Sequence, residues 1–395
     1  MSRLDELIEE LCPDGVEYRP LGEVADLQRG SGMPKKLFVD EGIPAIHYGH
    51  IFMKYGIHTK CAAAYLAPED ADKLTHVYPG DLVVANTSEN LEDVGKGVVW
   101  LGDVEGVTGG HATVVRSLAV DTVFLSYYLR TEDFALKKRK YAQGTKVIEL
   151  SAANLSKIDI PVPPLEVQRE IVRILDQFTT LEAELEAELE ARQAQYEHYR
   201  NHLLSYESLA ARGQVEMVKL GELAHIATGG RNTSDAVEDG AYPFYVRSQV
   251  PLSLNEYDFD ESAVLTAGDG VGVGRVFHHV EGKYALHQRA YRIVPNLEVL
   301  SSRYLYHVMV SQFGRYLEST VFHSSVTSVR KPMLERFPVA VPPMEEQDRV
   351  ADVLDRFDAL VNDITSGLPA EIAARRAQYE HYRDRLLSFP EKKAE

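Results

Sequence analysis

The chain has 395 residues, a formal net charge of −18 and 45% hydrophobic residues, which leaves room for two or three ordinary globular domains. Two cysteines, Cys12 and Cys61, are too few for a disulfide scaffold or a Cys-rich zinc site and suit a reducing, cytoplasmic setting. The sequence has no run of 18 apolar residues, so no helical membrane span and no membrane partner are expected.

Residues 1–20 open with MSRLDELIEEL, an acidic amphipathic helical segment rather than a signal peptide. Residues 21–160 read as a mixed α/β globular part. Its short β-rich runs are IPAIHYGHIF, GDLVVANTS, KGVVWLGDV and ATVVRSLAV, set off by Gly, Pro, Asn and Asp. One helical pattern follows from Asp121, a suitable N-cap. Residues 161–206 begin VPPLEVQREIVRILDQF and continue as a long helix. Ile171, Leu175, Phe178, Leu185, Leu189, Tyr196, Tyr199 and Leu203 form its apolar stripe. Residues 207–340 form a second α/β part, with β-runs YPFYVRS, SAVLTA, GRVFHHV and YRIVP and a helical pattern from Ser301. Residues 341–390 begin VPPMEEQDRVADVLDRF and form a second long helix. Ser366-Gly367-Leu368-Pro369 should bend or break it near Gly367.

The chain therefore writes one plan twice. LGEVADLQRG from Leu21 matches LGELAHIATG from Leu220 at an offset of 199. The offset falls to 179 by Gly95 and Gly274, so the first copy holds about twenty extra residues between Ile51 and Val94. It is 179 again at the VPP segments and 183 where AQYEHYR recurs at Ala194 and Ala377. The acid sits mainly in the helical segments: −4 in 1–20, −6 in 161–210 and −4 in 341–395, against −3 in 21–160 and −1 in 211–340. The near-neutral globular parts are thus compatible with DNA despite the overall charge. Forty helical residues span roughly 60 Å, too long for one small domain to cover. The two stripes are expected to face each other as antiparallel, coiled-coil-like helices relating the copies by a pseudo-two-fold.

Two unlike globular parts on a two-fold scaffold suit a split duplex site, since DNA strands are themselves dyad-related. The LGE-plus-Gly openings, the VPP-x-E-x-Q segments at Val162 and Val341, and the long helix after each resemble the specificity subunits of type I restriction-modification enzymes, over essentially the whole chain. The resemblance implies two target-recognition domains, each reading half of a bipartite double-stranded DNA target. It also implies a helical spacer, two methyltransferase (M) subunits docked on it, and restriction (R) subunits added for cleavage. S-adenosylmethionine, ATP and Mg²⁺ would belong to those partners, with no cofactor and no catalysis in this chain. The LEAELEAELEA run from Leu181 would be a length adjuster in the spacer.

Lys and Arg suit phosphates, and Arg, Asn, Gln and Ser can reach base edges. The candidate DNA contacts of the first part are Arg29, Lys35, Lys36, Tyr48, His50, Ser88, Asn90, Lys96, His111, Lys138, Lys140, Thr145 and Lys146. Those of the second are Arg231, Asn232, Arg247, Gln249, Arg275, Gln288, Arg289, Ser325, Arg330 and Lys331. Matching offsets pair Lys96 with Arg275, Lys146 with Ser325 and, more loosely, His111 with His287. Each such residue has a plainer reading as a solvated face or a satisfied strand-end histidine. Enzyme signatures are missing. No Walker A motif or G-x-S-x-G elbow occurs, GDGVGVG from Gly268 reads as turns between strands, and His198 and His202 lack a third metal ligand. The alternatives are a coiled-coil scaffold for protein partners without DNA specificity, and an enzyme fused from two β-rich domains.

Overall fold

The computed structural model describes residues 3–320, 328–362 and 367–392. Ser325, among the candidates above, and Ser366 of the expected helix break lie outside them. The chain is mixed α/β and divides into two compact units, Met1–Glu184 with Ala373–Glu395, and Leu185–Ile372. No helix of the described residues is long and apolar enough to cross a membrane.

The first unit is built on a five-stranded sheet in the order Ala25–Arg29, Ala112–Ser117, Leu82–Ala85, Gly97–Trp100, His58–Thr59. The apolar runs LVVA and GVVW take inner positions, and all eight of their residues are buried. A second five-stranded sheet orders Phe38–Val39, Tyr65–Leu66, Ile43–Ile46, Gly106–Thr108 and Thr75–Val77. Tyr65–Leu66 and Thr75–Val77 lie between Ile51 and Val94, the interval that holds the first copy's extra residues. IPAIHYGHIF is strand only to Ile46; His47 then caps a helix, Tyr48–Met53, its Nδ1 accepting from the Gly49 amide at 3.1 Å. Asp121 is the expected N-cap, accepting from Val123 N and Phe124 N. The single helix expected there is two, Thr122–Tyr128 and Glu132–Lys138, because Thr131 caps a second start. The end of the chain closes this unit: Val16 N donates to Pro390 O at 2.8 Å, Lys392 N donates to Val16 O at 2.9 Å, and Leu387 and Phe389 are buried.

The second unit has a six-stranded sheet: Ala224–Thr228, Ala290–Pro295, Phe259–Ala267, Phe277–Leu286, Tyr242–Tyr245, Leu252–Leu254. Its first four strands keep the order of the first unit's sheet. The expected turns between strands occupy 271–275. The helical pattern from Ser301 is a helix, Ser302–Val308, a π-turn, Met309–Phe313, and a helix, Gly314–Thr320.

The first long helix, Leu165–Leu203, is uninterrupted over 39 residues, and the second consists of Met344–Asn362 and Leu368–Leu386. Inside the first unit Phe178 lies against Tyr379 and Tyr382, and Glu182 accepts from Arg376 at 2.6 Å, so the two segments run in opposite directions there. Inside the second unit Phe357 stacks on Tyr196 and Tyr199. The repeated AQYEHYR tyrosines thus find a phenylalanine from the other long-helix copy in each unit.

The glutamine of each VPP-x-E-x-Q segment ties helix to globular part. Gln168, 0% exposed, accepts from Asp121 N at 2.7 Å and donates to Pro163 O at 2.6 Å. Gln347, also 0% exposed, accepts from Ser301 N at 2.9 Å and donates to Val299 O and Pro342 O. A buried amide with both ends bonded fixes where the long helix leaves the sheet.

Candidate nucleic-acid interface

Both units place their candidates around one backbone arrangement. The strand after each LGE turn is followed directly by Gly30 or Gly229. A Cβ at Gly30 would lie 2.1 Å from Gly109 O, and one at Gly229 would lie 2.0 Å from Leu286 O. Only glycine permits that crossing. Beside it, Asn86 N donates to His111 O and Leu150 N to Asn86 O, both at 2.8 Å. In the second unit Gly268 N donates to Arg289 O and Val329 N to Gly268 O, again both at 2.8 Å. The ladders Ala112↔Ala85 and Ala290↔Ala267 therefore set His111 level with Arg289. That corrects the looser pairing with His287, because the true local offset is 178.

In the first unit this end of the sheet gathers Arg29, Ser88, His111 and Tyr48. Arg29 donates from Nε to Gly110 O at 3.1 Å and pairs with Glu149 at 3.1 Å. The Tyr48 ring is 4.9 Å from the exposed His111 ring, whose Nδ1 is 3.0 Å from Thr87 Oγ1. Behind Tyr48, His47 is 5% exposed and its pKa is lowered to about 4 by burial and then by His50, Lys35 and His111, so it stays neutral. Burial lowers His50 as well, and its Nδ1 has no partner among the described residues. Lys35 and Lys36 are exposed on a short 3₁₀ turn, and Lys140, Thr145 and Lys146 are exposed after the helix Glu132–Lys138.

Asn90 and Lys96 form a separate group. Asn90 Nδ2 donates to Asp93 at 2.8 Å and Lys96 Nζ to Asp93 at 2.7 Å, while the Ser88 hydroxyl accepts from Asn90 N. Lys138 is 3% exposed, with its ammonium on Glu92 O and Val94 O at 2.9 and 2.8 Å. Burial, then Lys96, lowers its pKa to about 8 against the pull of Asp93 and Glu92. The buried Leu317 stands at the same 179 offset in the second unit, so this position serves the interior of both.

In the second unit Arg231, Asn232, Arg247, Gln288 and Arg289 come together around acidic partners that sequence reasoning did not single out. Asp269 accepts from Arg247 at 2.8 Å and Arg289 at 2.9 Å; burial acts to raise its pKa, but the two guanidiniums prevail and lower it. Arg231 pairs with Asp258 at 2.9 Å and Glu256 at 3.0 Å, and Gln288 donates to Asn232. The signal for Asp269 was in the sequence: it leads the turn after a buried strand, as Thr87 does after Ala85-Asn86. Arg330 and Lys331 are exposed at a short helix start near Ser328, which bridges to Asp269. Gln249 and Arg275 are exposed, and Arg275 makes no ion pair among the described residues. Those residues also hold no group of three His, Cys, Asp or Glu side chains fit for a metal ion.

Two sheet-based units joined to long helices are a fold shared with solved chains of type I restriction-modification systems. The S subunit of the type I restriction-modification system of M. genitalium aligns with a TM-score of 0.57 at 14% identity, over 94% of this chain and 96% of that one. A chain from a structure of complex assembly and conformational transition of the type I R-M system aligns with a TM-score of 0.61 at 19% identity, over 95% and 98%. The sequence matches the family described as "Type I restriction modification DNA specificity domain" over residues 13–191 and 213–374, and the chain belongs to that family. Its role there is DNA specificity within restriction-modification, not catalysis. It is 34% identical to the EcoR124I/EcoR124II specificity subunit of Escherichia coli over 268 residues, 61% of this chain and 65% of that one, just under two thirds of the relative's length. S.HindORF215P of Haemophilus influenzae, assigned as a type I restriction enzyme specificity subunit, is 28% identical over 95% of this chain and 96% of its own.

Proposed function

We propose that the chain reads a bipartite double-stranded DNA target with two recognition domains, residues 21–160 and 207–340. Residues 161–206 and 341–390 act as the spacer, related by an approximate two-fold, and residues 1–20 close the first unit against the chain's end. The observation that carries this reading is the sheet end just described. Each unit presents exposed polar side chains on the same backbone arrangement, and those side chains differ between units, as two unlike half-sites require. The helices present the surface on which two methyltransferase subunits dock, and restriction subunits join that assembly. S-adenosylmethionine, ATP and Mg²⁺ enter with the partners. Among the candidate residues, Lys138 supports the 92–94 turn from inside, and the exposed lysines at 35, 36, 140 and 146 meet phosphates.

The LEAE run lies within the continuous helix Leu165–Leu203. One added tetrapeptide lengthens a helix by about 6 Å, close to two base-pair steps of roughly 3.4 Å. Sequencing the methylated sites of variants with one LEAE unit added or removed tests the spacer role. The gap between half-sites should change by about two base pairs while both half-sites keep their sequence; an unchanged gap refutes it. A protein-only scaffold would show no sequence-selective methylation in the assembled complex.

A further inference from the structure

We infer that one side-chain pair in each unit, Thr87–His111 in the first and Asp269–Arg289 in the second, decides a base of the corresponding half-site. The inference rests on the DNA-reading role proposed above and adds which residues set the specificity. The residues of each pair are brought together by the same backbone bonds, from residue 86 to residue 111 and from residue 268 to residue 289. His111 and Arg289 are exposed, and each is anchored by the buried alanine that follows it, Ala112 at 0% and Ala290 at 1%. In each unit the side chain one strand over holds the exposed one from the side. Thr87 Oγ1 lies 3.0 Å from His111 Nδ1, and Asp269 Oδ2 accepts from Arg289 Nη1 at 2.9 Å.

The chemistry of the two pairs differs where the backbone does not. Asp269 grips Arg289 by Nη1 and Arg247 by its own Nη1, which leaves the Nε–Nη2 edge of Arg289 as a rigid pair of donors. That fork matches the O6 and N7 acceptors of guanine in the major groove. With Nδ1 of His111 engaged by Thr87, only Nε2 remains, so the first unit makes a single contact at its matching position. Stability does not explain the second arrangement: Arg289 is 62% exposed and such a surface ion pair adds little. A held and pre-aimed guanidinium is instead what base reading needs.

The test uses the full chain assembled with its methyltransferase subunits, randomised duplex DNA as the probe, and sequencing of the methylated products. The wild-type assembly is measured first; a product without a two-part motif refutes the DNA-reading role itself, before any variant is compared. Arg289→Gln and Arg289→Lys should each lower the preference for guanine at one position of one half-site by roughly 5- to 150-fold. The other half-site and the gap stay as in wild type. His111→Gln should act on the opposite half-site only. Arg289→Lys separates the roles, because lysine keeps the charge a phosphate needs but replaces the planar fork with a single swivelling ammonium that Asp269 cannot aim. An unchanged motif in all three variants overturns the inference. So does a loss spread evenly over all sequences for Arg289→Gln that Arg289→Lys restores. Should Arg289→Gln not assemble, Arg289→Lys and His111→Gln decide it.

Discussion

Replacing Gln168 by leucine tests whether the repeated VPP-x-E-x-Q segment works as a buried clamp. The side chain is 0% exposed, and leucine fills nearly the same volume without either polar end. Two backbone groups then lose their partner, the Asp121 amide at the start of Thr122–Tyr128 and the Pro163 carbonyl before the long helix. A stranded buried group costs about 1–3 kcal/mol, so two cost about 2–6 kcal/mol. Leucine recovers about 1–2 kcal/mol of apolar burial, which leaves a net loss of about 1–4 kcal/mol, roughly a 5- to 1000-fold fall in the folding constant. Trp100 is the sole tryptophan, is 2% exposed and lies in the same unit, so its emission in a urea titration follows that unit's unfolding. Arg169→Leu, at the exposed neighbouring position, is the control and should shift the transition by no more than about 0.5 kcal/mol. A Gln168→Leu shift equally small would contradict the clamp, since it would mean that the two backbone groups need no partner.

Other consequences follow from the same geometry. Gly229→Ala places a Cβ against Leu286 O and should destabilise the second unit by about 1–3 kcal/mol; equilibrium unfolding measures it, and a neutral result would contradict the close crossing. Asp355 is pulled toward higher pKa by burial, yet His307 and Arg303 prevail and hold it at about 2 against the usual 3.8. Its contribution is therefore complete above pH 3.8 and lost as the pH falls toward 2. Asp355→Asn should flatten the acid limb of an unfolding-versus-pH profile over that window. Lys138 behaves oppositely: its folded pKa of about 8 lies below the ordinary 10.5, so the folded protein sheds this proton first and gains stability as pH rises between them. Lys138→Met should remove that rise, and an unchanged alkaline slope would contradict the burial of the ammonium.

The helices were the most legible part of the sequence because their signal is local. The apolar spacing from Ile171 to Leu203 and the Pro-Pro starts are read within one turn or two, and Leu165–Leu203 forms as expected. Asp121 was legible as a cap for the same reason. What Gln168 and Gln347 bond was not, since their partners lie 47 and 46 residues away in sequence for the capping amides. The split at Thr131 was hidden inside a continuous apolar pattern in which a single threonine decides the break. The candidate interface was legible as residue types and not as pairs. Arg247, Arg289 and Arg231 looked like free cations until Asp269, Asp258 and Glu256 came beside them across the sheet. Lys138 looked like part of a basic run, but helix periodicity turns it inward between the half-buried Lys137 and the exposed Arg139. His111 was matched to the wrong residue because single-letter likeness outweighed strand register, which sets it level with Arg289, two residues beyond His287.

The proposed function requires that this chain choose the DNA sequence its assembly acts on, through two separate half-sites. Mapping methylated bases across the genome of a host with and without the chain, its methyltransferase subunits present in both, tests it directly. One split motif of fixed gap should be methylated only when the chain is present. Methylation that is the same in both hosts, or that appears with the chain but follows no two-part sequence, would contradict it.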